Sequence, residues 1–257
     1  MTIEQDENEA DLWFLPGPVD EEPDFLSPLP RSETGAPETI ATWAAAEAGE
    51  ARALARLTWR LGMLDAHLAL GPPGWRHRLA LLEAAELSWL AGDRLGADRV
   101  ALWVAQRVSS VQDDARALGR AAWAFRRLSE GPGPEADLAA FLGRHEVEDA
   151  EGGEALSDRL ASWSEMMAAA SGLHPVSRAA LGYWAWGLAG LDRGPGGRIE
   201  AAAVAARIAR PPEARALSFV PLGLGGAGEG LRATGEPDAR LTRWIAGAES
   251  SDDSSHR

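Results

Sequence analysis

The residues best suited to chemistry lie at Gly190-Leu191-Asp192-Arg193-Gly194-Pro195-Gly196-Gly197-Arg198, a glycine-rich stretch between two helical patterns. Glycines let backbone N–H groups approach an anion closely, and the N-terminus of the following helix adds a favourable dipole. Arg198 can add a bidentate contact to phosphate. On this reading Gly194, Gly196, Gly197 and Arg198 form a phosphate-binding loop, with ATP or another nucleotide as the candidate ligand. Pro195 counts against it, because proline has no N–H to offer the cradle. On spacing alone an ordinary helix–helix turn is the competing reading. The stretch holds no histidine, serine, cysteine or lysine, so neither a base nor a nucleophile comes with it.

Chemistry elsewhere is sparse. His67, His77, His145, His174 and His256 are scattered without a paired ligand spacing such as HxxxH, so no metal site is expected. His174-Pro175 opens a helix, where the imidazole reads as a surface or capping side chain. Asp113-Asp114, and Asp149 with Glu151, read as solvated helix starts in an acidic chain rather than as acid/base dyads. There is no cysteine, and all 25 basic residues are arginine. Disulfides, thiolate metal sites, Schiff-base lysines and a P-loop lysine are thereby excluded.

The elements that would position these residues are helices. Leu54, Leu57, Leu61, Leu64 and Leu68 recur at spacings of three and four, a core stripe ended by Gly71-Pro72-Pro73. A second stripe runs through Trp75, Leu79, Leu82, Ala85 and Trp89 to Gly92. Further helices are predicted near 97–108, 112–129, 135–143, 154–171, 174–190, 198–210 and 237–248, with an acidic loop from Glu146 to Glu154. Only Ser218-Phe219-Val220-Pro221 could be extended. The fold class is therefore all-α, a helical bundle of about eight to ten helices. Of the eleven tryptophans, Trp59, Trp75, Trp89, Trp103, Trp123 and Trp163 fall on or beside apolar faces and read as core anchors.

Composition divides the chain into an acidic, proline-rich leader (1–38) expected to be disordered or draped, an N-terminal helical segment (39–130), a connecting loop with a short helix (131–153), a C-terminal helical segment (154–248) and a polar tail (249–257) expected to be disordered. Net charge is −14. Residues 1–40 hold eleven acids and one base, a net −10 that leaves −4 for the remainder. Nucleic acid is thus a poor partner. The leader also carries apolar clusters, Leu12-Trp13-Phe14-Leu15 and Phe25-Leu26 with Leu29, suited to packing on the body or on a partner. With no basic amino-terminal region ahead of an apolar core, and no apolar run near about 18 residues, the expectation is a cytoplasmic chain without a membrane partner.

The order of elements around the glycine-rich stretch resembles the Fic-domain family, whose members carry a helix leading into a signature HPFxxGNGR and then another helix. Pro175 to Trp186 is similar to the leading helix, and Gly196-Gly197-Arg198-Ile199 falls on N-G-R and the residue after it. Reading back without gaps, Pro195 takes the place of the first signature glycine, Gly194 that of the variable, often acidic, position, and Gly190 that of the histidine. Glu83 to Gly92 resembles the segment EAxxSSxIEG, and Gly235-Glu236-Pro237-Asp238 to Trp244-Ile245 resembles a closing "GD…W" helix. Uncharacterised plasmid-borne bacterial proteins of this kind, some with a helix-turn-helix, are similar over the same span.

The family transfers AMP or another phosphate-containing group to a protein hydroxyl. The resemblance implies that its histidine is the base, its acidic residue holds Mg²⁺, and its glycines and arginine bind phosphates. Here Gly190 supplies no base, Ala91 replaces the inhibitory glutamate, and Leu87 replaces the first serine. The implied protein is a catalytically inactive, Fic-like helical module that binds a protein partner and retains a nucleotide or phosphate pocket at Gly194–Arg198. The enzyme alternative is a divergent nucleotidyl transferase using His174, but about 16 residues of helix, about 24 Å, separate it from the loop. A second alternative is a ligand-free assembly subunit that docks through its acidic leader.

Overall fold

The computed structural model describes residues 36–106, 112–143, 156–192, 194–224 and 228–255. The leader's apolar clusters, His145, the Asp149/Glu151 pair, the Glu146–Glu154 loop and His256 lie outside the described residues. Ten α-helices and three 3₁₀ turns organise the described residues, and none of these residues forms a strand. The fold is the all-α bundle expected.

The helices are α1 (Ala36–Gly49), α2 (Ala51–Leu70), α3 (Gly74–Ser88), α4 (Ala97–Val104), α5 (Gln112–Ser129), α6 (Leu138–Leu142), α7 (Leu156–Ala169), α8 (Pro175–Leu188), α9 (Gly194–Ile208) and α10 (Pro237–Ser255). The 3₁₀ turns are Trp89–Ala91, Ala170–Gly172 and Gly230–Arg232.

The leucine stripe of α2 is buried as its spacing predicts. Gly71 closes that helix by donating its N–H to the His67 carbonyl at 2.9 Å, and Pro72-Pro73 cannot continue it. Helix α9 is the central element. Ile199 and every residue from Ala201 to Ala206 are buried, so its middle turns are apolar all round, and the helix packs on α3, α5 and α8. Alanine at these positions lets the neighbouring helices approach closely. Helix α10 covers α1, α2 and α8. One hydrophobic core runs from Trp43 to Ala248, so the segments 39–130 and 154–248 share it. A smaller cluster of Leu95, Val100, Leu118 and Ala121 joins α4 to α5.

Two expectations need correction. The tail expected to be disordered from 249 is helical as far as Ser255, where α10 ends. Ser251 is buried there and donates its hydroxyl to the Leu224 carbonyl. Three tryptophans read as core anchors are instead exposed: Trp59 by 68%, Trp75 by 49% and Trp89 by 42%. Trp59 lies two residues from both Leu57 and Leu61, which turns it to the opposite face of α2. Trp75 stands at the first turn of α3, and Trp89 in a 3₁₀ turn where the α-helical period ends. Trp163 is buried as expected, while the other fully enclosed indoles are Trp43, Trp186 and Trp244.

After α9 the chain runs without regular structure to residue 224, largely buried, including the stretch Ser218–Pro221. Its backbone donors are collected by two carboxylates. Asp65 Oδ1 accepts from the N–H groups of Arg215 (3.0 Å), Ala216 (2.8 Å) and Leu217 (2.7 Å). Glu83 accepts from Leu222 and Gly223 at Oε1, both at 2.8 Å, and from Leu224 at Oε2, at 3.1 Å. Buried N–H groups that a ladder would otherwise satisfy are paired in this way.

Candidate functional site

The glycine-rich stretch folds as a helix end, a tight turn and a helix start. Gly190 has φ +65°, the left-handed region. Its N–H donates to the Gly187 carbonyl at 3.0 Å, and the Leu191 N–H donates to the Trp186 carbonyl at 3.0 Å. These two bonds are the Schellman closure of α8, with Leu191 buried behind it. Glycine at 190 therefore has a local cause: a side chain here would be strained.

Helix α9 begins at Gly194, earlier than the predicted 198, so the glycines form its first turn rather than a loop. An added Cβ on Gly197 would lie 2.5 Å from the Asp192 carbonyl carbon and 2.7 Å from its Cα. Only glycine lets the chain at Asp192 press against the helix. A Cβ on Gly196 would meet only the Arg120 side chain, at 3.7 Å. Gly194 lies in the same first turn. Of Gly196, Gly197 and Arg198, Arg198 alone lines a cavity.

That cavity, of about 200 Å³, lies between α1, α8, α9, α10 and the turn Gly230–Arg232. Its walls are aromatic: Trp43 from α1, Tyr183, Trp184 and Trp186 from α8, and Trp244 from α10. The Trp43 and Trp184 rings are tilted, with centroids 6.4 Å apart, and Tyr183 and Trp244 are tilted at 5.5 Å. Trp186 packs edge-on against Trp163 behind the wall, at 5.5 Å. The polar groups are Asp192, Arg198 and Arg240. The Arg240 guanidinium lies over the Trp184 ring, 5.3 Å from its centroid, in cation–π geometry. Its Nε donates to the Gly235 carbonyl. Arg198 and Asp192 are exposed, and Arg198 has no hydrogen-bond or ion-pair partner among the described residues.

Two features mark the electrostatics of this cavity. Burial pushes the Tyr183 hydroxyl up to about 12; Arg198 and Arg232 pull it down and Asp192 pushes it up. It stays protonated near neutral pH. The indole N–H groups of Trp43, Trp186 and Trp244 are buried and find no acceptor among the described residues. A buried donor left unpaired costs about 1–3 kcal/mol. The rings of all three tryptophans line the cavity, while their N–H groups are enclosed in the packing.

His174 is a helix cap. Its Nδ1 accepts from the Val176 N–H at 3.2 Å, and its Nε2 meets Thr58 Oγ1 at 3.0 Å. Its own N–H donates to Glu47 at 2.8 Å. Burial lowers its pKa, with Glu47 acting in the other direction. It lines a separate groove with Glu47, Thr58 and Trp59, not the cavity that holds Arg198. Among the described residues no group of three or more histidines and carboxylates could hold a metal ion. No described helix is long and apolar enough to cross a membrane.

Sequence reasoning found Arg198 but missed the aromatic walls and Arg240. The available signal was Tyr183-Trp184-Ala185-Trp186, which holds the only tyrosine of the chain. Its partners Trp43 and Trp244 come from helices far away in sequence. No protein-family model matches the chain, and no curated protein or solved structure shows significant similarity to it.

Proposed function

We propose that this chain is a non-catalytic binding module whose aromatic cavity takes a planar small molecule with an anionic group. The observation that carries this reading is the convergence of five aromatic side chains, Trp43, Tyr183, Trp184, Trp186 and Trp244, with Arg198 and Arg240 on one cavity. At about 200 Å³, the cavity exceeds the roughly 150 Å³ that holds benzene. It is smaller than the roughly 300–1,000 Å³ of drug-sized sites. One ring system enters, and the anionic group remains at the mouth on exposed Arg198. A mononucleotide meets this description, with its base inside and its phosphate on Arg198, and this agrees with the nucleotide pocket that the Fic resemblance implies. An aromatic carboxylate meets it as well.

The non-catalytic part rests on the acid–base groups. Gly190 caps a helix where the resemblance expects a base, Tyr183 holds its proton, and both ring nitrogens of His174 are engaged elsewhere. A protein partner fits the outer face of α2, where Trp59, Met63 and Leu70 are exposed.

Calorimetric titration of AMP, ATP and indole-3-acetate tests the reading. Saturable binding of at least one probe is expected, weakened about tenfold by Arg198→Ala through loss of a charge-assisted contact. Absence of binding by all three would overturn the ligand site. Transfer of labelled AMP from ATP to the protein itself or to another protein would overturn the non-catalytic reading.

A further inference from the structure

A second cavity, of about 390 Å³, opens where the C-terminal ends of α5 and α9 meet the start of α3. Its charged lining is Arg76, His77, Glu130, Arg207, Arg210 and Arg215. Four guanidiniums around one cavity are unexpected in a chain of net charge −14.

Two of the four are held rigidly. Arg207 donates to the carbonyls of Arg127 at 3.0 Å and Gly131 at 2.7 Å, and Arg210 donates to that of Leu217 at 2.7 Å and to that of Ala214. These acceptors are neutral carbonyls, so the bonds fix the guanidiniums without cancelling their charge. Burial lowers the Arg207 pKa, and the neighbouring Arg210 lowers it further. The other two arginines, Arg76 and Arg215, are exposed, and their guanidiniums have no hydrogen-bond or ion-pair partner among the described residues.

Helix-end neutralisation accounts for only part of this charge. Two helix C-termini carry together about one unit of negative charge, which Arg207 and Arg210 more than offset. Glu130 is the one carboxylate among the described lining residues, and it faces His77 Nε2 at 3.4 Å. Asp65, outside the cavity lining, is charged and offsets Arg210 in part, so the four guanidiniums still outnumber the two carboxylates near them. Arg76 and Arg215 serve neither purpose.

We infer that this cavity is a binding site for a compact multivalent oxyanion of the diphosphate class, with Arg207 and Arg210 as its fixed floor and Arg76 and Arg215 as arms that close over it. Guanidinium forks match the paired oxygens of a phosphoryl group. Arginines already fixed by carbonyls lose little freedom on binding. The site shares no lining residue with the aromatic cavity and stands independently of the function proposed for it.

The test is calorimetric titration of the full chain with sodium pyrophosphate at constant ionic strength, with sulfate as the reference ion. One saturable site is expected, with pyrophosphate binding more tightly than sulfate. The double variant Arg76→Ala/Arg215→Ala should weaken it about tenfold or more, while Arg52→Ala, on exposed α2 surface, leaves it unchanged. Both rim side chains are exposed and have no partner among the described residues, so a circular-dichroism melt of the double variant should match that of the parent. Equal binding of sulfate and pyrophosphate, or equal weakening by Arg52→Ala, would overturn the proposal. Loss of binding in Arg198→Ala alone would assign the anion to the aromatic cavity and overturn it too.

Discussion

Glu83→Gln should change how the stability of this protein depends on pH. Glu83 is fully buried, and its two oxygens accept three N–H groups from Leu222, Gly223 and Leu224. Burial pushes its pKa from an ordinary 4.5 up to about 7, outweighing the three donors, and nearby Glu86 adds to the rise. The folded value is the higher one, so between about pH 4.5 and 7 the folded state binds more protons than the unfolded state. Stability from this group is therefore greatest at the acidic end of that window and falls as pH rises through it. The full change amounts to about 3 kcal/mol. Glutamine has the same shape but does not titrate. Its amide NH₂ in place of Oε2 would face the Leu224 N–H donor to donor, at a cost of about 1–3 kcal/mol. The variant should thus be less stable than the parent at pH 5, with the gap closing or reversing by pH 8. Urea unfolding followed by tryptophan fluorescence at pH 5, 6, 7 and 8 measures both proteins. Groups beyond Glu83 and the Glu86 coupled to it titrate alike in the two, so the difference isolates this pair. Parallel pH profiles would refute the reasoning. A gap that widens with pH would show the three donors, rather than burial, in control.

The first turn of α9 offers a paired test of packing. Gly197→Ala drives a methyl into the Asp192 backbone and should cost at least about 2 kcal/mol, whereas Gly196→Ala has room and should be neutral or stabilising by up to about 1 kcal/mol; equal thermal melts for the two would contradict the packing described. Asp65→Asn should cost about 1–2 kcal/mol at pH 7. Burial works to raise the Asp65 pKa, but the three N–H donors and Arg210 outweigh it and hold the carboxyl below its ordinary 3.8. Its contribution is present above that value and disappears as pH falls through the folded one, so chemical denaturation at pH 7 should separate the two proteins and at about pH 2 should not.

Much of the fold was legible because helices are local. The α2 leucine stripe, the stop at Gly71-Pro72-Pro73 and the bounds of α5 all follow from spacing and from residues that cap or break a helix. Where a local signal was ambiguous the reading slipped. The start of α9 lies four residues ahead of the predicted 198, since Gly-Pro-Gly-Gly is poor helix sequence and packing against α5 and α8 holds it as a first turn. Trp59 has the same composition signal as Trp43, yet one is exposed and the other buried, because position relative to the stripe decides it.

The candidate sites were less legible, for a physical reason. The sequence by itself determined an all-α chain with no lysine or cysteine chemistry, and singled out Arg198 and a capping His174. It could not reveal that Trp43, Tyr183 and Trp244 meet around Arg198, or that Arg76, Arg207 and Arg215 surround one cavity. Helical periodicity says which face of a helix is buried, but not which other face it is buried against. Packing of α8 on α9, and of α10 across both α1 and α8, decided that, and with it gave Gly190 and Gly197 their roles as a helix cap and a close backbone contact.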